Sequence, residues 1–195
     1  MPFRPAVFLD RDGTLNQECG YIADLKDLKL ISGAAVAVRK LNQAGIAAVL
    51  VTNQSGAARG YYSEDHIRNL NAKLELLLKE SGAVLDCMYY CPHLPEAPVK
   101  QYESRCNCRK PATGLVERAL TEIPDLDRSR LYVVGDKATD IELATNLNAK
   151  GILVTTGYGQ DVLEKRSQLT VVADAVCKDV LEAVDWILND LSMND

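Results

Sequence analysis

The chain lacks any apolar run approaching the ~20 residues that a membrane-spanning helix requires. It also lacks a signal-type hydrophobic segment, because Met1–Pro5 leads directly into the first apolar stretch. The expectation is a soluble, cytoplasmic protein with no membrane partner. An excess of positive charge is missing too. Lys and Arg number 22 against 27 Asp and Glu, a formal charge of -5, so there is no basic stripe to hold a nucleic acid. Any anionic ligand must be met by a few local cations. There is no internal repeat, no low-complexity tract and no exposed apolar stripe, and a monomer is expected. Histidine is scarce at two residues, whereas cysteine is not, at six. Without a secretory context a disulfide framework is the poorer reading of those cysteines, and their clustering points to a metal.

What is present is ordinary globular composition, 47% hydrophobic and 25% charged, in a length that suits one domain spanning residues 1–195. Short apolar runs alternate with helical stripes. Strands are predicted at 6–9, 46–51, 85–90, 131–136 and 151–155, with a short edge strand at 171–173. Helices are predicted from Gly33 to about Ala44, from an N-cap at Ser63 to about Glu80, from a Thr113 cap to about Glu122, over 139–147 and over 178–191. Residues 15–32 and the stretch holding Gly157 and Gly159 read as loops. Strand–helix alternation specifies α/β architecture: a doubly wound, Rossmann-like parallel sheet with helices on both faces. The connection after the first strand is too short to house a large cap domain.

Polar chemistry begins where the strands stop. Ala6-Val7-Phe8-Leu9 runs into Asp10-Arg11-Asp12-Gly13-Thr14, with Asp10 and Asp12 two residues apart and so on one side of extended backbone, Arg11 pointing away. Paired carboxylates repel unless a cation or a shared proton intervenes. The economical reading is a divalent metal with one Asp attacking and the other moving protons. The 46–51 run ends in Thr52-Asn53-Gln54-Ser55-Gly56, and the 131–135 run ends in Asp136, with Asp140 four residues on. Parallel topology puts all these ends on one edge of the sheet. Lys110 adds a fixed charge from the loop between the third and fourth strands.

Cys91-Pro92-His93 and Cys106-Asn107-Cys108 form C-x-H, twelve intervening residues, then C-x-C. Three thiolates and an imidazole suit a closed tetrahedral zinc site, which leaves no open position for catalysis. Zinc bound by Cys91, His93, Cys106 and Cys108 is therefore expected to be structural, ordering a loop over 91–110 that has few large apolar residues of its own. Cys19, Cys87 and Cys177 read as packing or incidental residues.

Taken together, Asp10-Arg11-Asp12-Gly13-Thr14, Thr52, Lys110 and Gly135-Asp136 with Asp140 resemble the four motifs of the haloacid dehalogenase-like phosphohydrolase superfamily. The resemblance implies an aspartyl-phosphate on Asp10, Asp12 as acid and then base, and Thr52 and Lys110 on the phosphoryl oxygens. It implies Mg²⁺ between Asp10, Asp136 and the backbone carbonyl of Asp12, and it leaves Asp140 to orient Lys110 or Lys137. The zinc loop is similar to that of the subgroup joining heptose bisphosphate phosphatases and histidinol phosphate phosphatases. Gly20-Tyr21, Asn53 to Gly60 and Cys106 to Lys110 are more similar to the heptose branch, whereas Thr139-Asp140 and Leu115 to Arg118 are closer to the histidinol branch. By the same resemblance Glu18, Cys19, Gly20, Tyr21, Thr52, Asn53, Gln54 and Ser55 line the sugar. Arg109, Lys110 and Lys137 meet phosphate, and Arg59 suits a second phosphate. The other reading from a different class is a non-catalytic binding module ordered by zinc.

Overall fold

The structure is a computed structural model that describes residues 3–165 and 171–194. Its centre is β1 (Arg4–Leu9), where Ala6, Val7, Phe8 and Leu9 are wholly buried. Alternate side chains of a strand leave by opposite faces, and the packing obeys this. Val7 and Leu9 join the apolar cluster under one helical layer, and Ala6 and Phe8 join the cluster under the other. A strand buried on both faces is what a continuous apolar run requires.

The remaining elements follow in order: α1 (Ala34–Gln43), β2 (Ala47–Asn53), α2 (Glu64–Glu80), β3 (Cys87–Cys91), α3 (Gly114–Glu122), β4 (Leu126–Gly135), α4 (Ala138–Leu147), β5 (Lys150–Val154), α5 (Gly159–Glu164), β6 (Ala175–Cys177) and α6 (Val180–Asn194). All strand pairs are parallel, in the order β3-β2-β1-β4-β5-β6. Winding reverses between β1 and β4, and the crevice beyond the carboxyl ends of these two strands is where such sheets place ligands.

Several expected local features come out differently, among them β4, which starts at Leu126 rather than 131. The edge strand lies at 175–177 rather than 171–173, because registry with β5 starts at Asp174, whose carboxylate accepts from Gly151 N and whose own N–H donates to Gly151 O. Residues 159–164 form the short α5 rather than remaining loop. Thr113 precedes α3 without a side-chain cap; Gly114 N instead donates to Asn107 O, tying the helix start to the cysteine loop. Ser63 does cap α2, its hydroxyl accepting from His66 N. Among the described residues no helix is long and apolar enough to cross a membrane.

Candidate active site

The acidic turn begins as β1 leaves the sheet. Asp10 N donates to Val134 O, so this carboxylate enters beside the end of β4. Gly13 turns the chain at φ +83°, and a Cβ there would lie 2.2 Å from Asp136 Oδ2, so only glycine lets the two strand ends come this close. The loop after β5 completes the contact, with Thr156 Oγ1 donating to Gly13 O and Tyr158 N donating to Asp136 Oδ2 at 2.8 Å.

One carboxylate oxygen from each of Asp10, Asp136 and Asp140 lies within 4.8 Å of the others, and all three residues are buried. Lys110 holds this set together. Its Nζ lies 2.9 Å from Asp10 Oδ1 and 2.6 Å from Asp140 Oδ1, and it donates to Val51 O at 2.9 Å. Burial alone would push the Asp10 carboxyl up, but the charges of Lys110 and Lys137 outweigh it and hold Asp10 below the usual range, ionised. Burial would likewise discharge Lys110, and the facing Asp10 and Asp140 keep it protonated. Asp140 therefore orients Lys110, while its Oδ2 accepts from Lys137 N at the start of α4. Burial raises the Asp140 carboxyl despite the facing Lys110, and Asp136 is raised as well. Burial and the neighbouring carboxylates push it up to about 7 against the pull of Lys137. Its Oδ1 is buried without a hydrogen bond, with Lys137 Nζ 3.6 Å away. An orphaned oxygen among hard carboxylate donors fits a magnesium ion, with Asp10 and Asp136 as side-chain ligands.

Lys110 is delivered by the cysteine loop. Its backbone N donates to Asn53 Oδ1 at 3.0 Å, and Asn53 Nδ2 donates back to Lys110 O at 3.1 Å, which fastens the loop to the end of β2. Sγ of Cys108 lies 3.2 Å from that of Cys91 and 3.1 Å from that of Cys106, and His93 Nδ1 lies 3.3 Å from Cys108 Sγ. Ligands of a tetrahedral zinc sit about 3–4 Å apart given Zn–S near ~2.3 Å, so the four side chains fit that ion. Burial pushes the Cys106 thiol up, but hydrogen bonds from Cys108 and nearby backbone outweigh it and bring it down to about 7, where thiolate forms readily. Arg109, the next residue, donates from Nη1 to His93 O at 3.1 Å.

Beside these groups lies a cavity of about 340 Å³. Glu18, Gly20, Tyr21, Asn53, Gln54, Ser55, Arg59, Arg109, Lys110 and Lys137, all expected to face substrate, line it together with Asp12; Thr52, expected there too, is not among the lining residues but is buried, its Oγ1 accepting from Gln54 Nε2 at 3.0 Å. Tyr62, Thr139 and Tyr158 also line it, and sequence reasoning missed them. Tyr62 fills the space over Gly56, where a Cβ would meet its ring at 2.1 Å. Cys19 stands apart: it is exposed and its neighbours Glu18, Gly20 and Tyr21 form the wall instead. Arg59 is exposed at the mouth, 6.0 Å from the centre of the Tyr21 ring. Glu18 Oε2 lies 3.2 Å from Lys137 Nζ. Arg11 departs most from expectation. It does not point away from Asp12 but folds back onto its carboxylate, with Nη2 at 3.0 Å from Oδ2.

The sequence model of the HAD-hydrolase-like family matches residues 107–183. A D-glycero-D-manno-heptose-1,7-bisphosphate 7-phosphatase of Thermosynechococcus vestitus is 52% identical over 193 residues, covering 97% of this chain and 98% of that protein. The chain belongs to the haloacid dehalogenase-like hydrolase family. A second member, the D-glycero-beta-D-manno-heptose-1,7-bisphosphate 7-phosphatase of Yersinia pestis, is 38% identical across 96% of this chain and 92% of its own length. Among solved members, the D,D-heptose 1,7-bisphosphate phosphatase of B. bronchiseptica, complexed with magnesium and phosphate, superposes with a TM-score of 0.83 at 29% identity. It covers 95% of this HAD-like hydrolase and 99% of its own chain.

Proposed function

We propose that this hydrolase removes the 7-phosphate of D-glycero-D-manno-heptose 1,7-bisphosphate through an aspartyl-phosphate on Asp10. The observation that carries the reading is the convergence at one sheet edge of an ionised Asp10, an ion-paired Lys110 and an Asp136 whose buried Oδ1 has no hydrogen bond, beside a cavity that extends to Arg59 and Arg109. Relatives of nearly the same length carry that activity in their names.

Asp10 Oδ attacks phosphorus in line, and the bond from phosphorus to the sugar's O7 breaks. Asp12 gives that departing oxygen its proton, so the first product leaves as an alcohol. Water then attacks the acyl phosphate, its proton passes to Asp12, the P–O bond to Asp10 breaks, and inorganic phosphate leaves with both aspartates restored. Thr52 and Lys110 hold the phosphoryl oxygens. Magnesium bound by Asp10, Asp136 and the Asp12 carbonyl supplies the charge that lets an anionic carboxylate meet an anionic phosphate. The second phosphate is met by Arg59 and Arg109, and the sugar lies along Glu18 to Tyr21 and Asn53 to Ser55. Zinc on Cys91, His93, Cys106 and Cys108 orders residues 91–110. Every group in this scheme comes from one chain, so a monomer suffices.

Phosphate release from the heptose bisphosphate and from histidinol phosphate at saturating magnesium, with Asp10→Asn as control, tests the reading. Turnover of the heptose ester at least about tenfold faster, a preference of ~1.4 kcal/mol, and its loss in Asp10→Asn are expected. Preference for histidinol phosphate overturns the substrate, and silence on both leaves the zinc-ordered binding module.

A further inference from the structure

Asp12 is held more completely than a turn residue needs to be. Arg11 donates from Nε to Asp12 Oδ1 at 3.2 Å and from Nη2 to Oδ1 and Oδ2 at 3.1 and 3.0 Å. Gln54 Nε2 donates to Asp12 Oδ2 at 2.7 Å, and Asn16 Nδ2 donates to Oδ1 at 3.0 Å. Arg11 is itself fixed. Its Nη1 donates to Asn71 Oδ1 on α2 at 3.0 Å and its Nη2 to Gln54 Oε1 at 2.8 Å. With 1% of its surface exposed, Arg11 does not line the cavity, so it does not act on the phosphate directly. A buried guanidinium is expensive unless its hydrogen bonds are used, and an apolar side chain would fill the same space without that penalty. A planar fork on both oxygens fixes the carboxylate's direction as well as its place.

We infer that Arg11, anchored by Gln54 and Asn71, is a positioning residue that aims the Asp12 carboxylate for proton transfer to the leaving oxygen. The inference rests on the reading of Asp12 as acid and base. Without the clamp Asp12 is free to occupy its other staggered rotamers, and only one direction serves the proton. The loss therefore depends on the leaving group. A sugar alkoxide needs the proton, whereas 4-nitrophenolate departs without it.

The test is the single-turnover rate of leaving-group release from the heptose bisphosphate and from 4-nitrophenyl phosphate, in the full chain with zinc and saturating magnesium. General acid catalysis is worth about 10²–10⁴-fold, so Asp12→Ala, the benchmark, should slow the sugar ester by at least about a hundredfold and the nitrophenyl ester far less. Misaiming the same group forfeits part of that factor: Arg11→Met should slow the sugar ester by about ten- to a hundredfold and the nitrophenyl ester by less than about threefold. Arg11→Lys, which contacts one oxygen but cannot fork, should recover part of the loss. Asn71→Leu removes the anchor on α2 while leaving every group around the phosphate in place. It should shift the two rates in the same sense by a smaller factor, and it carries the test if Arg11→Met does not fold. Equal slowing of both esters by Arg11→Lys and Asn71→Leu, or of neither, overturns the inference while the Asp12 reading stands. Equal slowing of both by Asp12→Ala overturns that reading and the inference with it.

Discussion

Replacing Lys110 with methionine removes one buried charge from between two others. Nζ is 2.9 Å from Asp10 and 2.6 Å from Asp140, and its side chain is 3% exposed. At an effective dielectric of ~20 each contact is worth about 6 kcal/mol of gross attraction, most of it offset by the desolvation of the three groups. What Lys110→Met leaves behind is a pair of buried carboxylates that has lost its ion-pair partner. Breaking a buried pair in this one-sided way costs about 3–5 kcal/mol. For a chain of this size each kcal/mol moves Tm by about 2–4 °C, so thermal unfolding without magnesium should fall by roughly 6–20 °C. Asp140→Asn added to Lys110→Met should restore at least about 1–2 kcal/mol, because the excess negative charge is then reduced. Urea unfolding of the parent, both single variants and the double variant, without magnesium, measures the coupling directly. A Lys110→Met protein within about 0.5 kcal/mol of the parent, or a double variant no better than the single, would refute the account of Lys110 as the charge that holds Asp10 and Asp140 together.

The other expectations follow from single contacts. Cys106→Ser should lose zinc by metal analysis and reduce turnover by about ten- to a hundredfold, because the loop it orders carries Arg109 and Lys110; unchanged metal content and activity would remove the zinc argument. Gly13→Ala places a Cβ 2.2 Å from Asp136 Oδ2 at a φ of +83°. Displacing that carboxylate by about 1 Å should lower kcat/KM by about a hundredfold and weaken magnesium binding in a metal titration, and a normal titration would show that the two strand ends do not depend on this turn. Arg59→Ala should raise KM for the bisphosphate by about fivefold, the worth of one charged contact at an exposed mouth, ~1 kcal/mol, and leave a monophosphate sugar unaffected. Equal losses on both substrates would take Arg59 out of the second phosphate's site.

The sheet was legible because its strands are continuous apolar runs and its helices carry apolar stripes. Both signals are local and do not depend on what the element later touches. The same holds for Ser63 as a cap, and for the acids after β1 and β4, since a polar residue ending an apolar run marks a strand end wherever the strand sits. Parallel topology then sufficed to bring Asp10, Lys110 and Asp136 together. What escaped was set by contacts distant in sequence. Arg11 turns back onto Asp12 only because Asn71 on α2 and Gln54 after β2 are there to receive it. Asn53 was read as facing sugar, and it lines the cavity, yet its amide is engaged by the backbone of Lys110. The loop after β5 seats on Gly13 and Asp136, and the only hint of this was the glycine at 157, whose Cβ would meet Asp136 Oδ2 at 2.2 Å. Asp174 set the start of the edge strand through Gly151, which no periodicity could reveal.

The proposed reaction requires a phosphoryl group bound covalently to Asp10 during turnover. Acid quenching of the enzyme while it turns over the heptose bisphosphate, followed by borohydride reduction and peptide mass spectrometry, tests it most directly, because an acyl phosphate is reduced to an alcohol and a free carboxylate is not. Reduction is expected at position 10 only, dependent on substrate and magnesium. Continued phosphate release with position 10 unmodified, or modification at Asp12 or Asp136 instead, would contradict it.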